Sequence, residues 1–210
     1  LVTQPLIATT HYIKADGTGD FPDIQTAIDA AVDGDTIKLE AATFTGNGNV
    51  GIIFGGKGVI VTGEAGTDET IIDCRGSLDR GFTFSDLEDS TSVLRNLTIL
   101  GGFSASFGGG IFIEDASPVI TGVTIDSCSA DEGGGIYIAG DLAMPLIQDC
   151  EIKNCSATAN DPLLGGGGIR VSDAVPTILG CDIHHNVAEN GGGLMVLETG
   201  GTTAVSGTYS

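Results

Sequence analysis

The chain has 210 residues, 34 of them glycine, with 41% apolar residues and 28 acidic against 8 basic side chains. That length and apolar share suit one domain with a sizeable core and exclude disorder by composition. A net charge of −20 makes nucleic acid and anionic membrane surfaces poor partners, since both need a basic face.

Residues 1–35 read as a leading segment and a cap. "LVTQPLIATTHYI" is extended and β-prone. Residue 1 is Leu rather than Met, which fits a processed chain or a fragment. A removed signal peptide, and with it an extracellular or cell-surface location, is the expectation. No apolar run approaches the roughly 20 residues that cross a bilayer, so membrane insertion is not expected. In "DFPDIQTAIDAAVDGD" the residues Ile24, Ala27, Ile28 and Ala31 fall at helical spacing between acidic ones. This predicts an amphipathic helix over 22–32, with Pro22 in its first turn and Asp33-Gly34 as the stop. Strands follow near 36–39, 50–54, 58–62, 70–73, 80–84 and 92–99, forming the first coils over 36–100.

From residue 101 the sequence repeats. Triple glycines stand at 108–110, 133–135, 166–168 and 191–193, in steps of 25, 33 and 25 residues. Each is followed by an alternating strand, "IFI", "IYI", "IRV" or "LMV". Three are then followed by a proline run, "SPVIT", "MPLIQ" or "VPTIL", and by a third run, "GVTIDSCSA", "CEIKNCSA" or "CDIHHNVA". The long step holds one insertion, "TANDPLL" (158–164), which reads as a loop. A fixed period of this length indicates stacked coils.

Stacking writes out columns about 4.8 Å apart. Ile125, Ile152 and Ile183 point inward, as do Val123, Cys150 and Cys181. Cys128, Cys155 and Asn186 form a third column, and Ala130, Ala157 and Ala188 a fourth. Alternation puts Thr124, Glu151 and Asp182 outside, beside Asp126, Lys153 and His184. Triple glycine lets each coil turn sharply without a side chain striking the coil above. The predicted fold is all-β: a right-handed parallel β-helix of three-stranded coils with a short N-terminal capping α-helix. It forms a single domain over 1–210, with triple-glycine coils over 101–210 that lack a capping helix at their far end.

The stretch "YIKADGTGDFPDIQTAIDAAVDGDTIKLEAATFTG" resembles the opening of right-handed β-helix proteins of the pectin-lyase-like superfamily, pectin methylesterases included. "IIFGGKGVIVTGEAG", "TIIDCRG", "VLRNLTILGG" and the "GGGIYI" repeat are similar to bacterial secreted β-helix repeat proteins. The resemblance covers residues 12–198 and implies the fold. It implies no activity, because that superfamily mixes lyases, esterases, hydrolases and non-catalytic surface modules. Motifs like "QDT", "DFIFG" and "GRPW" of the esterases, or "NTD" and "RIK" of polygalacturonases, do not occur in this sequence. Arg170, in "GIRVSD", lacks the surroundings of a lyase base.

One outer cluster offers chemistry. Asp126, Glu151, Lys153, Asp182 and His184, with His185 beside them, share a face, and two carboxylates with a histidine can serve acid–base work. The plainer reading is a solvated ladder of opposite charges. No cofactor is expected beyond calcium, for which Asp16, Asp20, Asp131 and Glu132 offer hard oxygen ligands; turn-forming aspartates account for them equally well. Of the five cysteines, 74, 128, 150, 155 and 181, the pairs Cys128–Cys155 and Cys150–Cys181 lie within reach of disulfides, with small apolar core filling as the ordinary alternative. The sequons at Asn96 and Asn154 fall in predicted strands and read as chance.

The expected role is a non-catalytic extracellular or cell-surface module, structural, adhesive or assembling. Its partners would be itself, through end-to-end stacking into filaments, other surface proteins, or glycans. A carbohydrate-binding or polysaccharide-degrading protein is the alternative. Few aromatics (Phe107, Phe112, Tyr137) are placed to serve a sugar platform.

Overall fold

The computed structural model describes residues 7–159, 164–197 and 203–209. Short parallel strands recur once per coil and stack into two long sheets, one of eleven strands and one of six. A third, two-stranded sheet pairs Ser129–Ala130 with Ser156–Ala157. Every strand pair is parallel and joins residues a full coil apart, as a β-solenoid requires.

The columns written from the sequence are present. Ile125 pairs with Ile152 and Ile152 with Ile183, all fully buried. On the six-stranded sheet Ile111, Ile136 and Ile169 stack in register, as do Ile113, Ile138 and Val171. Each such side chain adds about 2 kcal/mol by leaving water. The first coils fill the same space with phenylalanine: Phe54 and Phe84 meet at 4.3 Å between ring centroids.

The coil differs from three separate strands. In Val119–Asp126 and Thr177–His184 the second and third predicted runs form one bent strand, as the single predicted strand Val93–Leu100 does one coil earlier; only Leu146–Gln148 and Glu151–Lys153 are divided. The bend is a column of left-handed residues, Asn96, Gly122, Asp149 and Gly180, with φ between 52° and 61°. A second such column, Gly101, Ser127, Asn154 and His185, turns the chain into the next face. Gly, Asn, Asp and His tolerate this conformation best, and Ser127 is the member of these columns outside that set. The two sequon asparagines therefore sit at corners, and Asn154 lies between strands rather than within one.

The triple glycine has two separate causes. Gly133 is left-handed, with φ 61°. Gly134 and Gly135 are in close contact with neighbouring coils: a Cβ on Gly134 would lie 2.3 Å from the Ser156 carbonyl oxygen and 2.6 Å from that of Gly167. One on Gly135 would lie 2.5 Å from the Gly168 oxygen.

The helix spans Ile24–Ala30, shorter than predicted. Asp23, not Pro22, begins it, because the Asp23 carboxylate accepts the Thr26 N–H at 2.7 Å and caps the first turn. Ile24, Ala27 and Ile28 are its buried face. Its end is closed by Lys57, whose Nζ donates to the carbonyls of Ile28, Asp29 and Ala31 at 2.7, 2.6 and 3.0 Å. The leading segment provides a strand, Thr10–Ile13, paired with Thr36–Leu39. Buried Asp35 secures it by accepting Thr9 N–H at 2.7 Å and Val32 N–H at 3.0 Å, with His11 Nε2 at 3.3 Å. Residues 1–6 and the loop residues 160–163 lie outside the described residues.

Candidate functional site

The outer cluster assembles as the column arithmetic requires. Glu151 pairs in register with Asp182, and Lys153 with Asp126 on one side and His184 on the other. Lys153 Nζ stands 2.7 Å from Glu151 Oε2, and His184 Nε2 stands 3.2 Å from Glu151 Oε1 and 3.9 Å from Asp182. His184 Nδ1 meets His185 Nδ1 at 2.6 Å. With both rings neutral, His184 donates from Nε2 to Glu151 and accepts from His185. Asp126 turns away from the carboxylates: its Oδ1 accepts from Ser127 and Asn154 at 2.8 and 2.9 Å.

This arrangement is electrostatically closed. The Lys153 hydrogen bond holds the Glu151 carboxyl below its ordinary range, against a smaller upward push from burial and with help from His184. Glu151 in turn raises Lys153. A general acid needs the opposite shift, and both oxygens of Glu151 already have cationic or N–H partners.

The residues proposed for calcium are engaged locally. Asp16 accepts Thr18 N–H and hydroxyl at 2.9 and 2.7 Å, Asp20 accepts Tyr12 N–H at 2.7 Å, and Asp131 accepts the Thr158 hydroxyl at 3.0 Å. Glu132 faces Arg170. Among the described residues no group of three or more His, Cys, Asp or Glu is placed to hold a metal ion. All five cysteines are buried thiols. Burial, reinforced by Asp73 and Asp79, pushes the Cys74 thiol up to about 12.

Sequence reasoning missed a second outer column on the six-stranded sheet. Phe112, Tyr137, Arg170 and Met195 are register partners. Phe112 and Tyr137 lie nearly parallel, 9° apart, Phe107 stacks on Tyr137 at 4.6 Å, and the Arg80 guanidinium sits 4.8 Å over Phe112. Arg170 is only 2% exposed. Its Nε faces Glu132 at 3.3 Å, yet Nε and Nη1 make no hydrogen bond. Burial, and next the Glu132 charge, raise the Tyr137 hydroxyl. The signal was available: these are the middle residues of "IFI", "IYI", "IRV" and "LMV".

Next to this column a cleft of about 830 Å³ is lined by Asp115, Tyr137, Gly140, Asp141, Leu142 and Asp173, among others. Asp115 and Asp173 are left-handed corner residues with Gly140 between them in the stack. A two-residue insertion, Asp141-Leu142, makes the corner protrude. No helix among the described residues is long and apolar enough to cross a membrane.

No curated protein matches the chain. The family model described as "Right handed beta helix region" matches residues 26–208. That span holds every coil described above, the outer cluster and the covered column alike, and the chain belongs to the right-handed β-helix family, within which the pectin-lyase-like resemblance is consistent.

Proposed function

We propose that this chain is a non-catalytic extracellular or cell-surface β-solenoid module with a structural or adhesive role. The observation that carries the reading is Glu151, the best-placed carboxylate of the outer cluster, held ionised and doubly paired by Lys153 and His184. A cross-strand ladder of this kind stabilises coils modestly, and it shifts Glu151 in the direction opposite to that of a general acid. The acidic surface keeps such a module soluble. Its partners are further copies of itself or other surface proteins; light scattering over a concentration series reports the first.

The test of the enzymatic alternative is a panel of neutral and anionic polysaccharides incubated with the wild-type chain and Glu151→Gln. New reducing ends and unsaturated products are assayed. Neither protein is expected to release product. Product from the wild type that disappears in Glu151→Gln would overturn the reading.

A binding role without turnover is favoured at one place, the cleft beside Tyr137, where carboxylates, the Ser172 side chain and a ring edge converge. Such a mixture suits sugar hydroxyls. A glycan array with wild type and Asp141→Asn tests it: specific binding weakened by the substitution supports this second reading, and a blank array removes it.

A further inference from the structure

Four of the five cysteines lie in two inward columns. Cys128 and Cys155 immediately precede Ser129 and Ser156, which are register partners on adjacent coils. Cys150 and Cys181 immediately precede the partners Glu151 and Asp182. In-register neighbours on adjacent parallel strands stand about 4.8 Å apart, inside the roughly 4.4–6.8 Å Cα separation that a disulfide accepts.

All four thiols lean toward the preceding coil, Cys128 to the Ile99 carbonyl oxygen at 4.0 Å and Cys150 to that of Ile120 at 3.6 Å. Cys155 Sγ lies 3.7 Å from the Ile125 carbonyl oxygen, and Cys181 Sγ lies 3.6 Å from that of Ile147. In each pair the later thiol therefore reaches back onto the coil that carries the earlier one. Cys74 stands apart: it follows Asp73, the register partner of Leu100, so the residue stacked against it is Gly101.

We propose that Cys128–Cys155 and Cys150–Cys181 are disulfide-forming pairs that staple three consecutive coils, with Cys74 left as the single thiol. In each closure two S–H groups give up two protons and two electrons, and one S–S bond forms. The acceptor is a small-molecule disulfide such as oxidised glutathione, whose own S–S bond breaks to give two thiols.

The exchange proceeds through a thiolate. In the folded chain Cys150 and Cys155 are both pushed up, first by the partner thiol and then by burial. Cys181 is shifted the other way, lowered first by its partner Cys150, so the Cys150–Cys181 pair keeps an attacking thiolate once the coils have brought it into register, and stacking shields the bonds once formed. Cross-linking positions 27 and 31 residues apart restricts the unfolded chain and raises stability. None of this depends on what the outer surface binds.

The test uses the full chain, unfolded and reduced, then refolded in a buffer of reduced and oxidised glutathione. It is unfolded again with N-ethylmaleimide, and its intact mass is measured. The expected result is one adduct per chain, on Cys74, with two hydrogens lost for each bridge; the fully reduced control takes five, one for each cysteine. Any count above one in the oxidised sample overturns the proposal. A Cys128→Ala, Cys155→Ala double variant keeps the second bridge and again takes one adduct, whereas three adducts overturn the pairing. The oxidised wild type should melt about 5 °C or more above the reduced chain, and coincident melting curves count against stapling.

Discussion

Two outer faces of this solenoid are built by the same register and end in different electrostatic states. On the long sheet, Glu151, Lys153 and His184 stand in an open ladder, with the Glu151 side chain 36% exposed. On the six-stranded sheet, Tyr137 and Arg170 occupy equivalent outward positions and are buried, Arg170 to 2%. The difference is cover. Phe107, from the segment ahead of the first triple glycine, lies over Tyr137, while the long-sheet ladder remains half open. Outward on a solenoid is thus a direction and not an exposure. Removing one charge costs little on the open face and much on the covered one, because water solvates and screens the partner left behind on the first and not on the second.

The comparison can be broken at its root. Gly134→Val places a side chain against the Ser156 and Gly167 carbonyls, forces adjacent coils apart and removes the register on which both faces depend. The expected cost is above about 4 kcal/mol, read as loss of cooperative urea unfolding and of the strand signal in circular dichroism. A variant that unfolds like wild type would mean the coils accommodate a Cβ there.

The covered face is isolated by Arg170→Met, which keeps the bulk of the stack and leaves the Glu132 carboxylate facing a thioether. Breaking a buried pair from one side costs about 3–5 kcal/mol, measured as the shift in urea midpoint. Adding Glu132→Gln should recover part of it. A loss below about 1 kcal/mol would place Arg170 in water and erase the contrast.

The smallest effect belongs to the open face. Glu151→Gln should cost at most about 0.5 kcal/mol, since a side chain more than a third exposed is largely screened, and the difference from wild type should vanish in about 1 M salt. The sign with pH follows from the lowered carboxyl: the contribution is present above the ordinary glutamate range and is lost as pH falls through the lower folded-state value. Parallel stability curves for wild type and Glu151→Gln from neutral to acid pH would show that the ladder contributes nothing.

Much of this is legible in the sequence. The steps between triple glycines predicted the columns, and Ile125, Ile152 and Ile183 stack as written. The outer cluster was legible for the same reason: in register, positions on one coil name their neighbours on the next. Asp126 shows the limit, because its place in the column was right and its side chain turns to Ser127 and Asn154 instead. The helix was placed by its apolar spacing, but its true ends depend on Asp23 and on Lys57, a residue more than a coil away that no local pattern connects to it.

By itself, then, the sequence determined the period, the inward columns and the class of the fold, since each follows from strand alternation and the intolerance of stacked backbones for side chains, whereas the left-handed corners at Asn96 and Asn154 emerged only from the structure. Tertiary structure alone decided which outward residues are wet. Cover comes from segments outside the repeat, such as the one bearing Phe107, and burial sets the dielectric in which Glu151, Tyr137 and Arg170 act. The repeat places a side chain, and what lies over it decides how strongly its interactions are felt.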